Sequence, residues 1–556
     1  MRVSTLVVLS FLGLILLAAS MIWLPAPGPG EPLGNVAETK GEPSSGEPSK
    51  DDPKLVERAS DSASFPQTTP GTPATGSSSS RLKFPEWPKP MLALVATGEQ
   101  HGYFEPCGCT ANQLGGMSRR AGLFEKIQSL GWVTRGIDVG GLSRRTGPQA
   151  QLKFETTLEA MRELQYVGLA LGPEELKLEA GYLLSQHQTD GEFPVAFLGA
   201  NLLFFGSRDI GTPLPFTIID QGGMKVGITS VMSDTIRRSV IPDRPADDAA
   251  ASDVQWTDPD AALQDVLKQF DAAGVNFRVL LSQSTLEESR VFAKRFPSFD
   301  VLITANGFGD GEPQPEMIGP VRMLQVGEKG KMAGVIGLYP NDSETPVRFE
   351  LVTLSGELFP DSERMTALMK TYQDRLRDGQ IVTADGPVGH PSGATFVGAS
   401  KCGECHTQAF AIWEKTPHAH ALESLDPSFQ RTGSERLRGI NRTFDPECLS
   451  CHVTGWEPQE YVRYRSGFVN AEFAANDSEK LLHSLLAGSQ CENCHGPGSR
   501  HIELIESDNK EAAIKEVKVS LEQSRDQTCL KCHDVDNSPN FKFEEYWEKV
   551  KHYGKD

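Results

Sequence analysis

Hydrophobic patterning changes character several times along this chain. Met1-Arg2 is followed by an almost unbroken apolar run from Val3 to Leu24, closed by Pro25. Such a run predicts an export segment. Ala18-Ala19-Ser20 offers a cleavage site, yet Met21 to Leu24 prolong the run to about the length that spans a bilayer. Residues 1–25 are therefore expected as a signal peptide or a membrane anchor, the anchor being preferred, with the bulk of the chain periplasmic or otherwise outside the cytoplasm. From Ala26 to Ser80 large apolar side chains are scarce among Pro, Gly, Ser, Thr and acidic residues. Such a composition cannot offset its ordering entropy, so residues 26–88 are expected to form a disordered linker.

From residue 89 the pattern becomes one of short apolar runs alternating with amphipathic stretches. Strands are predicted at Met91 to Ala96, Trp132 to Val139, Val167 to Leu171, Val195 to Asn201, Lys225 to Val231, Phe277 to Ser282 and Val301 to Ile303. Helices are predicted at Ser118 to Leu130, Lys153 to Gln165 and Ala261 to Ala273, the last announced by Asp258 as cap and Pro259 in the first turn. This alternation implies an α/β layered domain over 89–355. A helix at Asp361 to Asp378 and a Gly/Pro-punctuated connector holding an exposed His390 fill 356–395. Residues 396–556 are expected to form a separate domain.

Composition adds a charge argument. The 54 Lys and Arg against 74 Asp and Glu give a net charge of -20, which argues against nucleic acid and for a basic protein partner. Eight of the ten cysteines lie in Cys402-Gly403-Glu404-Cys405-His406, Cys448-Leu449-Ser450-Cys451-His452, Cys491-Glu492-Asn493-Cys494-His495 and Cys529-Leu530-Lys531-Cys532-His533. Each is CxxCH, in which two thiols form thioethers with haem and the next histidine ligates iron. A zinc ribbon has no need of a histidine after every second cysteine. Four covalent haem c groups are expected, with His406, His452, His495 and His533 as proximal ligands. So little protein per haem requires the macrocycles to supply much of the core and to lie close together. The remaining cysteines, Cys107 and Cys109, form a CxC pair that is open to reading as a strained disulfide, a redox dithiol, soft metal ligands or an inert loop.

Thr97-Gly98-Glu99-Gln100-His101-Gly102, Gly115-Gly116-Met117-Ser118-Arg119-Arg120, Ala200-Asn201-Leu202, Gly222 to Gly227 and Gln325 to Lys331 resemble the metallophosphatase domain of periplasmic 5′-nucleotidases, over most of 91–339. That resemblance implies a calcineurin-like fold with a two-metal site that activates water. The family's ligands are largely replaced. Its opening Asp-x-His reads Glu99-Gln100-His101, and its bridging aspartate falls on Gly141. Its Gly-Asn-His-Glu reads Gly172-Pro173-Glu174-Glu175, and its Ser-His reads Ser282-Gln283. Its last histidines fall in Thr304-Ala305-Asn306-Gly307-Phe308. The resemblance therefore implies a degenerate domain for which hydrolysis is not expected.

The last domain resembles the tetrahaem cytochrome c-554 family through its CxxCH motifs, Trp413 to Leu425, Cys448 to Gly455, Cys491 to Gly498 and Phe541-Lys542-Phe543-Glu544. The resemblance implies a mostly α-helical fold over 396–556 with haems stacked in pairs, and a role in passing electrons. It also places His418 as distal ligand opposite His533, His501 opposite His406 and His552 opposite His495, which leaves the haem on His452 with an open face. His420 and His483 are expected as surface or packing residues. An electron-transfer protein is the leading reading. The alternatives are an oxidoreductase acting on a small nitrogen or sulfur compound, at the His452 haem or at Cys107/Cys109, and a nucleotidase-like hydrolase.

Overall fold

The computed structural model describes residues 81–106, 113–187, 194–240, 253–305, 309, 311–429 and 439–555. The expected export segment, Cys107 and Cys109 lie outside the described residues, among which no helix is long and apolar enough to cross a membrane.

The ordered body reaches further towards the N-terminus than the linker boundary allowed. Phe84, placed in the linker, is fully buried, and its backbone N–H and that of Lys83 bond to the Glu350 carboxylate. Trp87 stacks on Trp132. The segment is too short and too interrupted by Pro85 and Pro88 to show a period of its own.

The α/β region contains strands β1 (Leu92–Thr97), β2 (Thr134–Asp138), β3 (Tyr166–Ala170), β4 (Ala196–Leu198), β5 (Leu202–Phe204), β6 (Phe216–Gln221) and β7 (Met224–Met232). They are followed by β8 (Val254–Trp256), β9 (Phe277–Gln283), β10 (Val301–Thr304), β11 (Glu316–Ile318), β12 (Val321–Gln325), β13 (Met332–Leu338) and β14 (Val347–Thr353). One six-stranded sheet runs β14-β13-β1-β2-β3-β4 and a second runs β11-β12-β10-β9-β7-β6. The β1–β4 neighbours are parallel, as are β7, β9, β10 and β12. Strands buried on both faces need to be apolar throughout. In β1, Leu92, Leu94 and Ala96 enter the core between the sheets, while Ala93 and Val95 pack under the outer helices.

Helices Met117–Ser129, Pro148–Glu163 and Glu363–Asp378 cover the outer face of the first sheet, and Pro259–Ala273 and Leu286–Arg295 cover the second. The layers are thus helix, sheet, sheet, helix. The predicted strands and helices are present, the Asp258 side chain capping its helix by accepting from Ala261 N. Edge strands such as β6, Phe-Thr-Ile-Ile-Asp-Gln, escape the sequence pattern because their polar residues face solvent. Central β13 escapes it because Gly334 and Gly337 make room for the rings of Phe349 and Tyr339. The helix Glu363–Asp378 is more than a connector, since Met365, Met369, Tyr372 and Leu376 belong to the core of the α/β region.

The C-terminal region is built of short helices, including Ala399–Gly403, Thr407–Trp413, Pro446–His452, Cys491–His495, Ser499–Glu506, Lys510–Val517 and Phe543–Val550. Its apolar core is small, around Phe396, Leu449, Val453, Trp456 and Phe468, while Leu481, Ile514 and Leu521 stand more than half exposed. A body with so little side-chain core needs other apolar bulk. His390, expected exposed, is half-buried against the rings of Phe396 and Tyr464.

Candidate haem sites and the facing cleft

Each CxxCH cysteine is a separate thiol, partly or fully open to solvent, as attachment to an incoming group requires. The motifs come together two by two. Cys402 lies within hydrogen-bonding reach of Cys491, and Cys451 within reach of Cys532, so the first motif adjoins the third and the second adjoins the fourth. The residues between the third motif's cysteines help to lock this arrangement. Glu492 accepts from the backbone of Val397, Gly398 and Gly498 at 2.9, 2.8 and 2.7 Å, and Asn493 donates to Val453 O at 3.0 Å.

The histidines are paired. His406 faces His501 with ring centroids 6.2 Å apart, His418 faces His533 at 6.0 Å, and His495 faces His552 at 5.8 Å. Two imidazoles bound on opposite sides of one metal, at metal–nitrogen lengths of about 2 Å, have centroids about 6 Å apart. Several of these rings also donate their Nδ1–H to a backbone carbonyl: His495 to Val517 O at 2.8 Å, His501 to Ala513 O at 2.9 Å, and His552 to Val550 O at 3.0 Å. His452 bonds through Nδ1 to Ala421 O at 2.8 Å, and His533 to Ser538 Oγ at 2.9 Å. Where the partner is a carbonyl, Nδ1–H must be the donor, which leaves the lone pair on Nε2, the nitrogen offered to a metal. Burial, followed by the neighbouring His533 and His452, presses His418 down to about 4, so its ring is neutral. These residues fit haem c. His420 bonds to Glu423 at 3.1 Å and His483 packs on the Phe468 ring.

A second cluster lies where strands β1, β2, β3 and β9 end. Glu99 and His101 both adopt positive φ, 48° and 54°. His101 Nδ1 is 2.8 Å from Glu174 Oε1, and its Nε2 is 3.4 Å from Glu99 Oε2. The fully buried Glu175 carboxylate accepts from Leu142 N at 2.6 Å, Gly172 N at 2.9 Å and Gly141 N at 3.2 Å. Gln283 donates to Val139 O, and a Cβ on Gly140 or Gly172 would meet its Nε2 at 2.8 or 2.7 Å. Protein groups thus fill the glycine-walled hollow. Among the described residues no group of three or more His, Cys, Asp or Glu side chains is disposed to hold a metal. Burial raises Glu99 to about 7 against the pull of His101, and burial with repulsion from Glu174 raises Glu175 to about 7. Burial opposes protonation of His101, but the Glu174 hydrogen bond and the surrounding carboxylates outweigh it and raise its pKa.

The haem region grips the α/β region beside this cluster. Asp536, three residues past His533, accepts from Tyr103 Oη at 2.9 Å and from Lys329 Nζ at 2.9 Å to both oxygens, and its carbonyl accepts from Gln113 Nε2 at 3.1 Å. Arg442 pairs with Glu105, and Glu447 with Lys153 at 2.6 Å. Asp445 accepts from Gln149 at 2.8 Å and Gln373 at 2.7 Å. Of these residues, only the Asp445-Pro446 helix start carries a signal that sequence reasoning could have found.

Residues 401–496 match the family described as cytochrome c554 and c-prime, a span that takes in the first three CxxCH motifs. The C-terminal region is therefore a multihaem c-type cytochrome domain. It is similar to cytochrome c-554 of Nitrosomonas europaea, 27% identical over 207 residues that cover 32% of this chain and 78% of that protein. The α/β sheets resemble metallophosphatase folds. The 5′-nucleotidase precursor from Thermus thermophilus superposes with a TM-score of 0.44 at 22% identity, covering 52% of this chain and 59% of its own. The calcineurin-like phosphoesterase YfkN from Bacillus subtilis gives 0.41 at 17% identity, covering 51% and 97%.

Proposed function

We propose that this protein is a periplasmic electron carrier with four covalent haems, held by Cys402/Cys405, Cys448/Cys451, Cys491/Cys494 and Cys529/Cys532. His406, His452, His495 and His533 serve as proximal ligands, with His501 opposite His406, His418 opposite His533 and His552 opposite His495. The observation that carries this reading is the set of three ring pairs, each spaced as one intervening metal requires. Haem c supplies the one-electron couple. The protein orients the imidazoles through their Nδ1 bonds and brings the motifs together in adjoining pairs, so that electrons pass from one site to the next. The α/β region serves as a docked support rather than a hydrolase, and the acidic chain exchanges electrons with a basic partner.

Pyridine haemochrome analysis of the purified protein is expected to give four haems per chain. Electron paramagnetic resonance is expected to show at least three low-spin bis-histidine centres, one becoming high-spin in each of His418→Ala, His501→Ala and His552→Ala. Fewer than three haems per chain, or unchanged spectra in all three variants, would overturn the reading.

A further inference from the structure

The loop after the fourth motif is a single bonded unit. Asp534 Oδ1 accepts from the backbone of Asp536 at 3.0 Å and Asn537 at 2.6 Å, its Oδ2 accepts from Asn537 Nδ2 at 2.9 Å, and its carbonyl accepts from Ser538 N at 2.8 Å. At one end Ser538 Oγ meets His533 Nδ1. In the middle the Asp536 carboxylate points into the α/β region, where Lys329 and Tyr103 hold it. Lys329 is itself fixed, with φ +58° and its backbone N–H on Glu99 O at 2.5 Å. The side chains of Lys329 and Asp536 are only 19% and 22% exposed, so solvent screens their charges weakly.

We propose that Lys329 and Tyr103 are positioning residues for the haem on His533, setting its reduction potential through Asp536. The inference rests on reading His533 as a proximal ligand. Two physical effects act together. A hydrogen-bond partner on Nδ1 tunes the basicity of a ligating imidazole, and the rigid loop places that partner. A charge in a poorly solvated site beside a haem favours the redox state of opposite sign, because reduction adds one negative charge. Lys329 offsets the negative charge that Asp536 would otherwise impose.

The test is optical potentiometric titration of the full-length haem-loaded protein. In Lys329→Met the unpaired Asp536 is expected to lower the potential of one haem and leave the others in place. Asp536→Asn is expected to raise the same haem, and the double variant to fall between the two, as coupled neighbours do. The haem that moves should be the one whose spectrum changes in His418→Ala. Lys329→Arg should restore the potential, and Tyr103→Phe, which removes one hydroxyl, should move the same haem if Lys329→Met does not fold. Potentials identical to the parent in every folded variant, with four haems present, would overturn the inference. Loss of only the His533 haem from the parent protein would instead defeat the reading beneath it.

Discussion

Glu99, His101 and Glu175 hold protons more tightly in the folded chain than in the unfolded one. Glu99 and Glu175 move from 4.5 to about 7, so their stabilising contribution is complete below about pH 4.5 and is lost as the pH rises towards 7. His101, raised from 6.5, works in the same direction and loses its contribution as the pH passes its folded value. The α/β region is therefore expected to unfold at a higher temperature at pH 5 than at pH 8, with the difference reduced in Glu175→Gln; calorimetry of the haem-loaded protein checks this, and equal melting temperatures would count against it. At this scale the sequence was most informative where chemistry is local. A CxxCH motif carries its attachment cysteines and its iron ligand within five residues. Lys329 and Asp536 are 207 residues apart and belong to no motif, so only the fold brings them together.

The helix Pro446–His452 illustrates the scale of elements. Its N-cap, Asp445, bonds to Glu447 N at 3.0 Å and at the same time receives the amides of Gln149 and Gln373 from two helices of the α/β region. Asp445→Ala removes the cap and takes one acceptor from each of two amide donors at a site only 4% exposed. A destabilisation of about 3 kcal/mol is expected in chemical denaturation, while Asp445→Asn, which keeps a capping oxygen, should cost about 1 kcal/mol. The regular elements were legible wherever burial made them apolar on both faces or on one helical stripe. Those that the pattern missed fail for identifiable reasons: a solvated edge in β6, glycines in β13, and Phe84 anchored by a partner as distant as Glu350.

At the scale of the whole molecule, the net charge of -20 gives a long-range field that would draw in the basic partner proposed above. Electron exchange with a basic redox protein is expected to slow as ionic strength rises, whereas exchange with anionic ferricyanide should quicken; stopped-flow rates across a salt series decide, and two salt-independent rates would refute electrostatic steering. The layered domain and the haem motifs could be read from the chain, but the seating of one region on the other could not, because its contacts are scattered polar side chains without a repeat. The helix Lys510–Val517 has a related long reach. Its Val517 carbonyl holds the ring of His495, and its Ala513 carbonyl, one turn earlier, holds the ring of His501. In the ligation proposed above those rings belong to different irons, His495 to that of the third motif and His501 to that of the first. On the proposed ligation the helix would act as a gear between two centres: a small slide along its axis would strain both imidazole bonds at once and shift the ligand fields of the two irons in concert.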